Sequence, residues 1–345
     1  MSTAPLRSAM VPVTRRIRAY FAPFNPVTQT PTLFDPGKYG MFSLSAPPAP
    51  WVDLGWIDSF ERYCDTSTQP LRSGPPGAPA AMSRGYLDVR IEFEFREWGK
   101  LQMALACGSE HMNVLASVPT ANAQPSGGTP LPSVAVLAGS TASNIIVGAG
   151  SVGGFSAGNI VAVDDDYQQQ VGYVGTGIAA AYVSNPADVN RDANYIRRVT
   201  FNVARVAQVT ATSLLLAQPL LGGAPPAGAA VQQVVAFVDR EGGSFFQNWS
   251  ALFVAEEESG GRVCFHYPWL SPTTALPRYV KINESSTAAG SSKPLQREEE
   301  VEILKPISSL ALRAAFQAMP HVDENDGQTV VCYRSYFPAS MAAVY

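Results

Sequence analysis

The amino-acid sequence predicts a mainly β protein with one short flanking helix and a second, inserted β domain. Three observations lead to this prediction. Glycine and proline, at 28 residues each, are scattered along the chain and indicate many turns between short strands. Residues 87–95 alternate strictly between apolar and charged side chains, as in a strand with one buried face. The composition changes near residue 118 and returns near residue 237, as expected for an insertion.

The first 50 residues are rich in proline and weakly patterned, so we expect an extended arm over 1–50 that lies on another surface. A compact segment begins at residue 51. Within this segment, residues 67–85 (STQPLRSGPPGAPAAMSRG) are mostly turn formers. They predict a long loop that is either disordered or reaches a neighbouring molecule.

The most strongly patterned stretch is residues 86–108, YLDVRIEFEFREWGKLQMALACG. Its odd positions predict a buried sheet face, formed by Leu87, Val89, Ile91, Phe93 and Phe95. Its even positions predict a wet face, formed by Asp88, Arg90, Glu92 and Glu94. Helical spacing then predicts a helix that packs under the sheet through Trp98, Leu101 and Leu105 and ends at Gly108 in a left-handed cap.

The central part of the chain predicts a domain of its own. Residues 119–133 (PTANAQPSGGTPLPS) have the composition of a linker, and residues 220–230 (LLGGAPPAGAA) form a second break. Short apolar runs separated by glycine lie between them and predict a small β-barrel or sandwich. We therefore expect an inserted β domain at 125–236 and a discontinuous outer domain formed by 51–124 and 237–345.

The charge of the chain restricts its function. Charged residues make up 15%, against about 25% in an average soluble protein, and the net charge is −4. Basic residues cluster only at 14–18 (TRRIR), so tight binding to a nucleic-acid backbone is not expected. Many small residues with few charges suit a surface buried against copies of the same chain. With no apolar run of about 18 residues, we expect no membrane insertion.

No motif predicts catalysis, a cofactor or a metal site. Residues 148–154 (GAGSVGG) have the glycine spacing of a dinucleotide-binding loop, but the sequence that follows predicts a strand rather than the required helix. The three histidines are far apart in sequence, and the four cysteines form no C-x-x-C pair. Reduced, buried thiols are the expected state of these cysteines. The acidic runs 164–166 and 256–258 leave a hydrolase as one remote hypothesis.

Two segments together resemble a known family. WVDLGWIDSFERY (51–63), followed by the strand and helix of 86–108, is similar to the major tail tube proteins of long-tailed bacteriophages and of phage-derived particles such as gene transfer agents. In that family an xDLGxI turn precedes a strand that leads into a helix ending at glycine. Residues 53–57 (DLGWI) and 101–108 stand in those places. The resemblance is best over 51–116 and weak from about 237 onward.

The resemblance implies a tail-tube-type β-sandwich or half-barrel whose copies close into hexameric rings, with sheets joined edge to edge, and stack into a hollow tube. Asp88, Arg90, Glu92 and Glu94 would then line a lumen through which DNA passes without sequence-specific binding. The contact with the next ring is expected from the arm and from the 67–85 loop, at Leu71, Pro75, Pro76 and Pro79. The implied location is the virion tail, after synthesis in the bacterial host cytoplasm. The implied partners are the protein itself and other tail proteins: the tape measure, the baseplate or tail tip, and the terminator.

An alternative function is a carbohydrate-binding or adhesion module carried by the central β domain. In this hypothesis tyrosine rings act as stacking surfaces for a sugar, and the candidates are Tyr167, Tyr173, Tyr182 and Tyr195. Tryptophan, a better stacking platform, is absent between residues 99 and 248. A charged sheet face on an ordinary solvated monomer also explains the acidic positions without any channel.

Overall fold

The computed structural model describes residues 14–72, 79–116, 131–164, 194–241, 247–258, 260–273 and 312–339. The chain is mainly β, as the sequence predicts. Its strands, in chain order, are β1 Thr14–Pro23, β2 Val52–Arg72, β3 Pro79–Phe95, β4 Glu110–Leu115, β5 Val134–Ala135, β6 Asn144–Ile146, β7 Ile160–Asp164, β8 Val203–Val209, β9 Ser213–Leu216, β10 Ala230–Arg240, β11 Trp249–Glu257, β12 Arg262–Pro272, β13 Leu312–Ala318, β14 His321–Val322, β15 Thr329–Val330 and β16 Tyr333–Phe337.

Six of these strands form a closed antiparallel barrel. Their order is β11-β1-β2-β3-β13-β12, and β12 pairs again with β11 to complete the circle. The joint between β12 and β13 is short, with Leu270, Ser271 and Pro272 opposite Ala318, Gln317 and Phe316. β16 adds to β12 beside this joint. The sheet therefore closes within one chain, where the sequence suggested a sandwich or half-barrel.

Aromatic side chains fill the barrel. Phe93 lies 5.3 Å from Phe253 and 5.9 Å from Phe316 between ring centroids, and Phe21 lies 5.4 Å from Phe316. All four rings are buried. Because they come from β1, β3, β11 and β13, the interior is held together by residues more than 200 positions apart in the sequence.

The odd positions of β3 follow the predicted pattern only where the strand belongs to the barrel. Val89, Ile91, Phe93 and Phe95 are at most 3% exposed. Leu87 is 37% exposed, so its predicted place in the core is wrong. It lies beyond the last pair between β3 and β13, which joins Arg90 to Gln317, and among the described strands only β2 pairs with β3 there.

Helix α2, Lys100–Cys107, confirms the predicted helix and its end. Gly108 has φ +61° and its N–H donates to the carbonyl of Ala104. This is the left-handed conformation that glycine adopts at low cost. Leu101 and Leu105 are buried in the barrel core, but Trp98 is 47% exposed and precedes the helix, so its predicted core role is wrong.

The prediction of an extended arm over 1–50 is wrong for residues 14–23, which form β1 between β2 and β11. Residues 24–50 form a strap across the outside of the barrel. The strap contains the short helix α1, Pro36–Tyr39, capped by Asp35, whose Oδ1 accepts from the N–H of Gly37 at 2.8 Å. Phe34 and its neighbours pack on the outer side chains of β1, β11 and β12, such as Tyr20 and Leu252.

The second lobe comprises residues 110–116, 131–164 and 194–241. Its described strands form one sheet in the order β4-β10-β7-β8-β9-β6, with β5 also paired to β10. A five-residue π-helix, Arg197–Phe201, precedes β8. The predicted boundaries of 125 and 236 are too narrow, because β4 pairs with the end of β10, from Leu115 opposite Val234 to Glu110 opposite Arg240.

Candidate functional site

A long two-stranded ribbon leaves the barrel. Beyond the last pair of β2 with β1, at Ile57, and the last pair of β3 with β13, at Arg90, the described residues of β2 and β3 pair only with each other. Their pairing continues to Arg72 opposite Pro79. At 3.3 to 3.4 Å per residue, residues 65–72 extend roughly 25 Å past the end of the barrel. We call residues 62–72 and 79–89 the ribbon.

The ribbon corrects the predicted loop at 67–85, because most of these residues lie in paired strands. Of the predicted contact residues, Leu71 is 56% exposed in β2, and Pro79 is the first residue of β3. Pro75 and Pro76 lie outside the described residues. The ribbon exposes further large side chains: Met82 by 62%, Tyr86 by 53% and Tyr63 by 49%.

Both outer edges of the ribbon lack a strand partner among the described residues. An edge of this kind presents backbone N–H and C=O groups that pair readily with another chain. The combination of two open edges and exposed apolar side chains is one that soluble monomers usually avoid. The ribbon is therefore the part of the molecule that is best suited to contact another protein chain.

The even positions of β3 lie on the outer face of the barrel wall and of the ribbon. There they meet acidic residues of β2 directly across the sheet: Asp88 lies opposite Asp65, Glu92 opposite Glu61, and Glu94 opposite Asp58. We call these six carboxylates the acidic ladder. Like charges directly opposite each other destabilise a sheet. Three such pairs on one face therefore lower the stability of this part of the sheet.

Three arginines compensate part of the ladder. Glu92 accepts from Arg313 and lies 3.1 Å from the Nε of Arg90. The carboxylate of Asp58 accepts a bidentate pair of hydrogen bonds from the guanidinium group of Arg96. With six carboxylates and three guanidinium groups, this face keeps an excess of negative charge.

Asp65 and Asp88, at the base of the ribbon, are bound by neutral groups instead of arginines. Asp65 accepts from the Tyr86 hydroxyl at 3.1 Å, and Asp88 accepts from the Nε2 of Gln317. In the described part of the chain, no cation lies within ion-pair distance of either carboxylate. The hydrogen bond to Asp65 raises the pKa of Tyr86, as the bond to Glu61 raises the pKa of Tyr63. A shallow depression here is lined by Tyr63, Asp65, Asp88, Arg90 and Glu92.

The DLGWI segment is a β-bulge at the base of β2 and not a separate turn. Arg18 pairs with Trp56 and Tyr20 pairs with Asp53, so two residues of β2 oppose one residue of β1. Gly55 has φ +83°, and its N–H donates to Asp53 Oδ1 at 2.9 Å. The same carboxylate accepts from Arg18 Nε at 2.9 Å. The bulge increases the local twist at the start of β2, where this strand pairs with β1 in the barrel.

Few residues of the other two hypotheses are described, and those that are do not come together; Tyr167, Tyr173 and Tyr182 lie outside the described residues. Tyr195, the one tyrosine of the carbohydrate hypothesis within the described residues, is fully buried and its hydroxyl donates to the carbonyl of His111, so it offers no stacking surface. In the hydrolase hypothesis, Asp164 is buried beside Arg197 at 3.3 Å, and Glu256 pairs with Arg262 at 3.0 Å. Asp165 and Asp166 lie outside the described residues.

The second lobe has a cavity of about 280 Å³, with polar side chains of Asp164, Arg197 and Asn202 in its wall. All four cysteines are free, and Cys64 is exposed on the ribbon instead of being buried. Within the described ranges, no helix has the length and apolarity to span a bilayer, and no group of three or more His, Cys, Asp or Glu side chains is placed to hold a metal ion.

Sequence reasoning missed two features of this site: the paired state of the ribbon and the acidic residues of β2. Cross-strand partners become visible only once the register is known, and residues 58–65 alternate less regularly than 87–95. No protein-family model and no curated protein matches the chain.

Proposed function

We propose that the chain is a structural protein that assembles with copies of itself into hexameric rings, which stack into a hollow tail tube for the passage of DNA. The observation that carries the proposal is the ribbon, which presents two unpaired strand edges and exposed apolar side chains beyond a closed barrel. Strand addition by a neighbouring copy would satisfy both features. The resemblance of 51–63 and 86–108 to tail tube proteins agrees with this function.

The closed barrel changes how the rings would join. The closed barrel leaves little free edge in the described part of its sheet: the outer side of β16 and the start of β13. We therefore do not expect the wall of the tube to arise by joining whole barrel sheets of adjacent copies edge to edge. In the proposed ring, the ribbon of one copy pairs with an exposed strand or face of the next, and the barrels stand side by side. This contact is heterologous, as a closed ring requires.

The acidic ladder would give the wall of the proposed lumen a negative charge. A negative wall repels a polyanion, and this repulsion lowers the tendency of DNA to adhere during transit. On this interpretation, Asp65 and Asp88 tolerate their mutual repulsion because the charge serves the channel. The role of the second lobe would be to decorate the outside of the tube.

The proposal is tested by negative-stain electron microscopy of the purified protein at high concentration, with and without a ribbon substitution. We expect rings or hollow tubes for the wild-type chain. Leu71→Glu places a charge on the exposed ribbon and should reduce assembled particles at least tenfold. Val322→Glu, at a side chain that is equally exposed at 56% on β14, should assemble like the wild type.

Two results would contradict the proposal. One is a wild-type chain that stays monomeric in sedimentation velocity runs at high concentration. The other is equal assembly of Leu71→Glu and wild type, which would remove the ribbon from the interface.

The carbohydrate-binding alternative retains one observation in its favour. The cavity of the second lobe combines a carboxylate, a guanidinium and an amide, and these groups can hydrogen-bond the hydroxyls of a sugar. Glycan-array binding by the whole chain, lost on Asn202→Leu, would support this function. Absence of binding to every glycan would leave assembly as the only proposal.

A further inference from the structure

The amino group of Lys100 lies where the two lobes meet. Lys100 is the first residue of α2, and its Nζ donates to the main-chain carbonyl of Val199 in the π-helix. It also donates to Asn113 Oδ1 on β4 at 3.3 Å and lies 4.4 Å from the ring centroid of Phe237 on β10. One side chain therefore connects the helix of the barrel to three elements of the second lobe.

Most of this junction is buried, although Lys100 itself is half-buried and Phe237 is 39% exposed. Val199 and Asn113 are both fully buried, and the core around α2 includes Tyr195, Ile196, Val199 and Phe201 of the second lobe. Burial lowers the pKa of Lys100 to about 7.

The titratable groups around Lys100 do not hold its charge. On β4, His111 shares a 2.8 Å contact with Thr200 Oγ1, and burial, followed by the charge of Lys100, lowers the pKa of His111 to about 3. On the π-helix, Arg198 is a second buried cation. On β10, Asp239 accepts from Ser109 at 2.7 Å. Among the described residues, no carboxylate lies within ion-pair distance of Lys100.

We propose that Lys100 is a proton-controlled latch between the barrel and the second lobe: the neutral amine holds the junction closed, and protonation loosens it. A neutral amine has two N–H donors, which match the two oxygens of Val199 and Asn113. Protonation adds a positive charge that meets two neutral oxygens and the ring face of Phe237 but no carboxylate among the described residues, so its loss of hydration is only partly compensated. The latch is independent of the proposed assembly, because it concerns contacts within one chain.

The direction of the pH dependence follows from linkage. With the junction open, the solvated Lys100 has an ordinary pKa of about 10.4, and with the junction closed its pKa is about 7. The open state therefore binds more protons between these two values. Closure of the junction becomes more favourable as the pH rises through this range. Below pH 7 the free-energy cost of burying the charged Lys100 is fully present and no longer changes with pH.

The test is native-state hydrogen exchange of the full-length chain between pH 6 and pH 9, corrected for intrinsic rates, under conditions in which exchange reports the opening equilibrium. Protection of residues 197–201 and 111–115 should rise by up to about tenfold for each pH unit above 7. Lys100→Met should abolish this rise. Lys38→Met, which removes an exposed lysine that lies 4.9 Å from the Tyr39 ring, should leave the rise unchanged.

A flat profile in the wild type, or an undiminished rise in Lys100→Met, would overturn the proposal. If Lys100→Met does not fold, the wild-type chain still decides the question. The chain has five lysines, so ¹³Cε labelling gives a spectrum in which each can be followed. One lysine should titrate near pH 7, and five lysines with ordinary pKa values would exclude the latch.

Discussion

The pairing of single residues across β2 and β3 is where stability and function compete most clearly. Glu92 and Asp65 both face an acidic partner, but Glu92 is bound by Arg90 and Arg313, whereas Asp65 is bound by the neutral Tyr86 hydroxyl. The same kind of substitution at the two positions should therefore have opposite effects. Neutralising Asp65 removes a repulsion, and neutralising Glu92 removes two attractions.

We expect Asp65→Asn to raise the urea midpoint of unfolding slightly, because it ends the repulsion with Asp88 while the amide oxygen still accepts from Tyr86. Glu92→Gln should lower the midpoint. Both effects should shrink at high salt, since the charges are near the surface. Denaturation curves at low and high ionic strength measure this, and a shift of the same sign for both variants would contradict the assignment.

At the same scale, DLGWI illustrates what a sequence motif can and cannot predict. The glycine and the aspartate indicate a local distortion, and the structure has one, with Gly55 at φ +83°. The partner Arg18 lies 35 residues earlier and is not signalled by the motif. A local pattern predicted the conformation because Asp53 bonds within two residues, but the ion pair depends on which strand lies alongside.

At the scale of elements, the strap couples the outside of the barrel to pH. His266 on β12 is buried against Trp51, at 5.7 Å between ring centroids, and stacks on Tyr333 at 5.6 Å. Its Nε2 lies 3.3 Å from the carbonyl of Thr32 in the strap. Burial lowers the pKa of His266 to about 4. The contact with the Thr32 carbonyl opposes this shift, and electrostatic repulsion from His321 lowers the pKa further.

Acidification should therefore destabilise the strap. Because the pKa of His266 is about 4 when folded and about 6.5 when unfolded, stability is fully present above pH 6.5 and is lost as the pH falls to 4. The loss due to His266 should reach roughly 3 kcal/mol. His266→Phe keeps a ring in the stack and should remove this part of the pH dependence in chemical denaturation. An unchanged slope in the variant would show that other groups are responsible.

Elements differ in how far the sequence predicts them. The pattern of β3 from Val89 to Phe95 is visible because one face is in the core and the other is wet. In contrast, β1 was missed, since Ala19 to Ala22 are all fully buried and show no alternation. The barrel covers one face of β1 and the strap covers the other. The ribbon was missed for the opposite reason, because both of its faces are largely exposed and carry mixed side chains.

At the scale of the whole molecule, the low charge of the chain makes the acidic ladder more distinctive. Charged residues are only 15% of the sequence, yet six carboxylates are aligned on one face. For the proposed tube, this arrangement predicts that double-stranded DNA passes without being retained. The sequence indicated the acidic residues of β3, but their number doubles only when the register of β2 is known.

In assembled tubes, the double variant Asp65→Lys with Asp88→Lys should retain DNA at low salt and release it at high salt, since ion pairs with phosphate are screened. Wild-type tubes should release DNA at both. The matched control is Glu324→Lys with Asp326→Lys, which makes the same change in charge on exposed residues between β14 and β15. Equal retention by both variants would place the ladder outside the lumen.

The closure of the barrel also determines when its strands can pair during synthesis of the chain. β1 is among the first described residues to be synthesised. It can pair with β11 only after residues Trp249–Glu257 have been made, and the barrel can close only after Leu312–Ala318 has been made. At about 5 to 20 residues per second, β1 can pair with β2 early but lacks its second partner strand, β11, for roughly 10 to 50 seconds. Such long-range pairing slows folding and leaves apolar surface of the nascent chain exposed for longer. The described strands of the second lobe, β4 to β10, follow one another in the chain, so this lobe can form during that interval.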